Sequence, residues 1–134
     1  MHVARFEGLE EQWVEGRPEL RWKSTLGTTP DGGAREASTS LLEVEPECAL
    51  PRHTDSAEEH VVVISGVAEV EVGGETGRVE TGGVALVPEC VPHQVRSVGD
   101  EPLRFVAVYA DVDVVTTYED PVQPSGERES HTVG

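Results

Sequence analysis

Apolar residues fall along this chain in short runs punctuated by glycine, and no stretch carries a convincing helical spacing. The runs at 60–65, Val67–Val72, Val84–Val87, 91–98 and Leu103–Tyr109 are separated by Ser65-Gly66, Gly73-Gly74, Gly82-Gly83 and Gly99-Asp100. Val67, Val70 and Val72, with Glu69 and Glu71 between them, give the partial alternation of a half-buried strand. Two earlier strands are predicted over 20–28 and Ser38–Val44, ended by the turn-rich stretch 29–33 and by Pro46. Short strands at this spacing predict an all-β sandwich or barrel, placed as one domain over 20–118. Residues 1–19 are polar and read as an arm lying on the domain or on a partner subunit. Residues 119–134, rich in Glu, Ser, Pro and Gly, read as a flexible tail. There is no internal repeat and no heptad pattern.

Composition narrows the picture. With 134 residues, 37% of them hydrophobic and only 4% aromatic, the chain must build its core mainly from Val, Leu and Ala. Ten basic against 26 acidic residues give a net charge of −16, which repels phosphate backbones and anionic lipid. Nucleic acid and membrane are therefore not expected as partners; solubility or adaptation to salt is the ordinary reading of such acidity. No apolar run approaches the ~20 residues of a membrane span. The first ten residues carry no apolar signal region, so a cytoplasmic protein is expected. Cys48 and Cys90 are too few for a disulfide framework, although one bridge between them is left open.

The candidate chemistry rests on His53, Asp55, Glu59 and His93. His53 and Asp55 are two apart, so an extended backbone turns both to one face. Glu59 opens the run at 60–65, and His93 follows Pro92 some forty residues later. Neutral imidazole and ionised carboxylate are ligands that divalent Fe, Mn, Zn or Ni accept. A lone histidine beside a lone acid is, equally, the commonplace of a protein surface. His60 neighbours Glu59 and should face the other way; His2 and His131 lie in terminal segments.

The spacing around these four residues resembles the two motifs of the cupin superfamily, over roughly 43–109. The first motif reads Glu47, five residues, His53-x-Asp55, three residues, Glu59, six residues and Gly66. The second reads Gly82, five residues, Pro88-x-Cys90, two residues, His93, three residues and Ser97. Glu47 stands where the first motif opens with Gly, Asp55 replaces its second His, Cys90 replaces a turn Gly, and Ser97 replaces a closing Asn. The resemblance implies a single-domain double-stranded β-helix, a jelly-roll-like barrel, holding one divalent ion through His53, Glu59 and His93. Asp55 either completes the set or acts from outside it. A second resemblance, to 2-oxoglutarate oxygenases, would make His53, Asp55 and His93 an iron triad and Arg104 a cosubstrate anchor. An outward, solvated Arg104 is the alternative. Cys90, just before His93, is read chiefly as a small buried hydrophobe.

Three function classes follow from the resemblance. The leading one is a metal-dependent small-molecule enzyme of oxygenase, isomerase or cyclase type, with Glu59 or Asp55 moving a proton beside the substrate. The others are a metabolite- or metal-binding module without turnover, and a degenerate structural barrel. A homodimer is implied, with Trp13 and Trp22 either contacting the partner or covering the barrel's own edge.

Overall fold

The computed structural model describes residues 1–133 as twelve strands with no α-helix among them. They are β1 (Glu10–Val14), β2 (Arg17–Leu26), β3 (Ser38–Val44), β4 (His53–Asp55), β5 (Glu59–Ser65), β6 (Val67–Val72), β7 (Glu75–Glu80), β8 (Val84–Val87), β9 (His93–Ser97), β10 (Leu103–Tyr109), β11 (Val115–Val122) and β12 (Glu127–His131). Two six-stranded antiparallel sheets form, ordered β1-β2-β3-β10-β5-β8 and β12-β11-β4-β9-β6-β7. This is a jelly-roll β-sandwich: the strand spacing predicts the all-β class, and the resemblance implies the jelly roll.

Alternation in the sequence becomes alternation across the sheets. Along β10, Leu103, Phe105, Ala107 and Tyr109 are buried while the residues between them are not. Val61 and Val63 of β5, Ala68 and Val70 of β6, and Val95 of β9 meet them from the other strands in one apolar cluster. Valine serves well here because its branched side chain is stiff and suits a pleated surface.

Two glycine sites show why the turns fall where they do. Gly73 and Gly74 both have positive φ, 56° and 92°, the backbone of a two-residue hairpin turn joining β6 to β7. Gly66 (φ 80°) is more constrained. A Cβ there would lie 2.8 Å from both Leu103 Cα and the Pro102 carbonyl oxygen. Gly66→Ala is thus expected to cost about 2–4 kcal/mol in urea denaturation. Gly74→Ala, with open space around it, should cost only about 1–2 kcal/mol.

Several boundaries differ from the sequence reading. The segment 1–19 is not simply an arm: β1 lies within it and pairs along β2, chiefly with Arg21 to Ser24, at one edge of the first sheet. Nor is 119–134 a flexible tail over its described part, because β12 folds back on β11 as a hairpin. These strands are polar, so no hydrophobic alternation marks them, yet backbone pairing is enough to hold an edge. Trp22 is 3% exposed and belongs to the chain's own core, whereas Trp13 is 37% exposed. Both cysteines are free, and Cys90 is exposed rather than buried.

Candidate metal centre

Two strands of the second sheet and one of the first converge on a single buried point. His53 and Asp55 share the inner face of three-residue β4, with Thr54 pointing away. His53 lies directly across from His93 of β9, and their rings sit 4.2 Å apart between centroids. Glu59 comes from β5 in the facing sheet. All four are buried, and one donor atom from each lies within 4.8 Å of the others. The sequence pattern selected these residues, and the structure brings them together.

Both imidazoles are aimed by the same local device. Nδ1–H of His53 donates to the Pro51 carbonyl at 2.7 Å, and that of His93 donates to the Val91 carbonyl at 2.9 Å. A carbonyl only accepts, so this contact places a proton on each Nδ1 and turns each Nε2 toward the cluster. On the acid side, Thr116 Oγ donates to Asp55 Oδ1 at 2.6 Å, leaving Oδ2 directed inward. His93 Nε2 is 3.1 Å from Asp55 Oδ2 and 3.1 Å from Glu59 Oε1. The Glu59 contact is a hydrogen bond. The Asp55 contact is an ion pair only, so Oδ2 is a buried oxygen without a hydrogen-bond partner.

The cluster's electrostatics follow from burial and neighbours. Burial, with the charge of His93 beside it, lowers His53 to about 4, so its imidazole is neutral. Burial opposes charge on His93 too, but the facing Asp55 and Glu59 carboxylates outweigh it and raise it to about 10. Burial pushes Asp55 up; the contact with His93 and the neighbouring His53 overcome this and hold it at about 2. Glu59 is raised to about 7, chiefly by burial. One buried positive charge on His93 Nε2 thus holds two acids together. That is the place a divalent cation would take, with the orphaned Asp55 Oδ2 as a ready oxygen donor. The donor set fits a metal.

A cleft of about 380 Å³ opens between the sheets beside this cluster. Tyr109, Thr116 and Tyr118 lie along it, and each touches or neighbours a cluster residue. Tyr109 pairs with Glu59 across β10 and β5, Thr116 holds Asp55, and the Tyr118 ring is 5.4 Å from that of His53. Ser130 and His131 of β12 form part of the wall. Sequence reading missed Thr116, Tyr118, Ser130 and His131 because they sit in the stretch beyond Tyr109, outside the apolar runs.

Other candidates fall away from the centre. Arg104 points outward, paired with Glu43 at 2.7 Å and stacked over Phe6, so it anchors nothing inside the barrel. His60 faces outward and contacts Glu58. Cys90 is not among the clustered donors.

The two missing motif glycines leave a physical trace. Glu47 (φ 70°) and Cys90 (φ 60°) are the non-glycine residues with left-handed backbone among the described residues. The chain has kept the turn geometry at a cost of about 1–2 kcal/mol each. Cys90 N–H donates to the Asp55 carbonyl at 2.8 Å, so this turn helps to fix the ligand strand. Ser97, at the closing position, ties the motifs together through backbone hydrogen bonds to Glu47 and Cys48.

The cupin domain family model matches residues 40–109, just over half of the chain. No curated protein matches it. Among solved structures, a Bacillus subtilis oxalate decarboxylase variant is similar at 25% identity and TM-score 0.68, covering 73% of this chain and 28% of that one. The Lactobacillus farciminis oxalate decarboxylase formate complex is similar at 22% identity and TM-score 0.71, covering 83% and 33%. A conserved Streptococcus pyogenes protein of unknown function is similar at 20% identity and TM-score 0.56, covering 66% and 72%. The chain thus spans about a third or less of the oxalate decarboxylases it resembles. With the family model matched across both spaced motifs and the jelly roll folded around them, this chain belongs to the cupin family.

Proposed function

We propose that the chain is a metal-dependent cupin enzyme in which His53, Asp55, Glu59 and His93 hold one divalent ion and a compact organic substrate reacts in the adjoining cleft. The observation that carries this is the convergence of four buried donors, one of them an oxygen with no hydrogen-bond partner. Without a metal two buried acids depend on the single charge of His93, and burying charges away from water costs several kcal/mol even when they are paired. Two carboxylates beside two imidazoles favour an oxygen-preferring ion such as Mn(II) or Fe(II). Mn(II) centres are those of the Bacillus subtilis oxalate decarboxylase, a structural neighbour.

When bound, the ion supplies Lewis-acid polarisation of a substrate oxygen. The chain's own residues do the rest. Pro51 and Val91 carbonyls fix the two imidazoles, and Thr116 fixes Asp55. Tyr109 and Tyr118 shield the cluster from bulk water; burial, with the Glu59 and Asp55 charges adding to it for Tyr109, keeps both phenols protonated. A carboxyl of the cluster left free of the ion, Glu59 or Asp55, is placed to take or give a substrate proton. Oxygenase, isomerase and cyclase chemistry all suit this arrangement.

Elemental analysis after exposure to Mn(II), Fe(II) and Zn(II), followed by desalting, tests the reading. About one equivalent per chain is expected for the native protein and for His60→Ala. His53→Ala should retain a small fraction of it. Equal retention by all three proteins would show the ion to be held elsewhere.

A further inference from the structure

The cleft that adjoins the centre carries a charge pattern that selects its ligand. Its polar lining is dominated by hydroxyls, those of Ser24, Ser40, Thr116 and Ser130 with the two tyrosines. Among the described residues, no Lys or Arg lines it, and Glu10 contributes an acid. Beneath the cleft lie two more carboxylates, Asp55 and Glu59. An ion of charge +2 held by two carboxylates leaves a site of formal charge zero. A set of three His and one Glu would instead leave +1. Asp55 therefore removes the positive charge that would attract an anion, and the one basic side chain in the cleft wall, His131, lies 3.9 Å from the Glu129 carboxylate.

A second depression reaches His53 from outside the sheet, bounded by Arg52 and Arg128. The two arginines are matched in number by two acids, Glu71 and Glu119, although only Arg52 pairs with them directly. Arg128 donates to the Tyr118 carbonyl at 3.1 Å. The carbonyl contact leaves the Arg128 charge in place, but Glu119 lines the same depression, so its net formal charge does not favour an anion strongly.

We propose that the cleft takes an uncharged, hydroxyl- or carbonyl-bearing small molecule and discriminates against carboxylates, oxalate included. The inference rests on the metal-centre reading above but turns on charges of the chain itself. A neutral ligand can match the donor and acceptor capacity of the serine, threonine and tyrosine hydroxyls. A carboxylate would lose its hydration and meet a centre of no net formal charge, hydroxyls and the acid of Glu10, with no Lys or Arg to offset that loss.

Isosteric pairs test it: oxalate against oxamide, and glycolate against glycolamide. Each is titrated into Mn(II)-loaded and metal-free protein at constant ionic strength, with fluorescence of Trp22, which lines the cleft, as the readout. Trp13→Phe removes the other indole. The neutral member of each pair is expected to bind about tenfold or more tightly than the acid. Gln12→Lys, which sets a cation in the cleft wall, should reverse that order. A carboxylate that binds as tightly as its neutral isostere, or a signal unmoved by either member of both pairs, would overturn the proposal. Metal content, measured on the same samples, separates the two ideas. Stoichiometric Mn(II) with oxalate preferred refutes the charge argument alone, whereas no bound Mn(II) refutes the metal reading.

Discussion

Replacing His93 by alanine is expected to lower affinity for Mn(II) or Zn(II) by about 10²–10³-fold. A four-ligand site contributes roughly 10–16 kcal/mol, so one ligand accounts for about a quarter of it. His93 carries more than a ligand's share because its Nε2 lies 3.1 Å from both acids. Without it, Asp55 and Glu59 face each other with no cation between them, in a site less than a tenth exposed. The metal-free variant should therefore also lose about 3–5 kcal/mol of stability relative to metal-free wild type. Isothermal calorimetry and urea denaturation measure the two effects separately. His60→Ala, on the outer face of the adjacent strand position, should change neither. Should His93→Ala bind metal like wild type, the imidazole is a core side chain and no ligand.

The metal-free protein is further expected to become less stable as pH rises from about 6.5 to about 10. His93 in the fold is raised to about 10, above the ordinary histidine value of 6.5, so folding retains its proton. Its contribution is complete below 6.5 and is gone once pH passes through 10. Glu59, raised from 4.5 to about 7, acts in the same direction over its own window. His53 and Asp55, lowered to about 4 and about 2, weaken the fold only on acidification, below 6.5 and below 3.8 respectively. Above 6.5 only falling contributions from the cluster remain, and their sum is on the order of a few kcal/mol. Urea midpoints at about pH 6, 8 and 10 should decline for the metal-free protein. Saturation with Mn(II) should flatten that decline, since the ion takes the place of the His93 proton. A decline of equal slope in both forms would place its origin outside the cluster.

What the sequence makes legible is what burial and motif spacing encode. Ser38–Val44, Val67–Val72, Val84–Val87 and Leu103–Tyr109 are strands with the bounds their apolar runs predict, because each buries a face. The four clustered residues are legible for a different reason: side chains that must meet leave a fixed count between them and the turns. The stretches that stay hidden are polar strands. β7, with the sequence ETGRVE, leaves only Val79 half-buried against the core and is held by pairing with β6 after the Gly73-Gly74 turn. β12, ERESH, is wholly exposed and reads like a tail, although backbone hydrogen bonds to β11 make it a wall of the cleft. Thr116 is hidden in the same way. A threonine on a half-exposed strand carries no sequence mark, and only the fold shows that it holds Asp55. The reach of Asp55 itself was open from sequence, since Asp is shorter than His. β4 lies opposite β9, and there even this short side chain arrives 3.1 Å from His93.

The most direct measurement is anomalous diffraction at the manganese edge from crystals grown with Mn(II). One peak per chain is predicted inside the barrel, about 2.0–2.2 Å from Nε2 of His53 and His93 and from oxygens of Asp55 and Glu59. A map with no peak between these four side chains, or with peaks only on the acidic surface, would contradict the account.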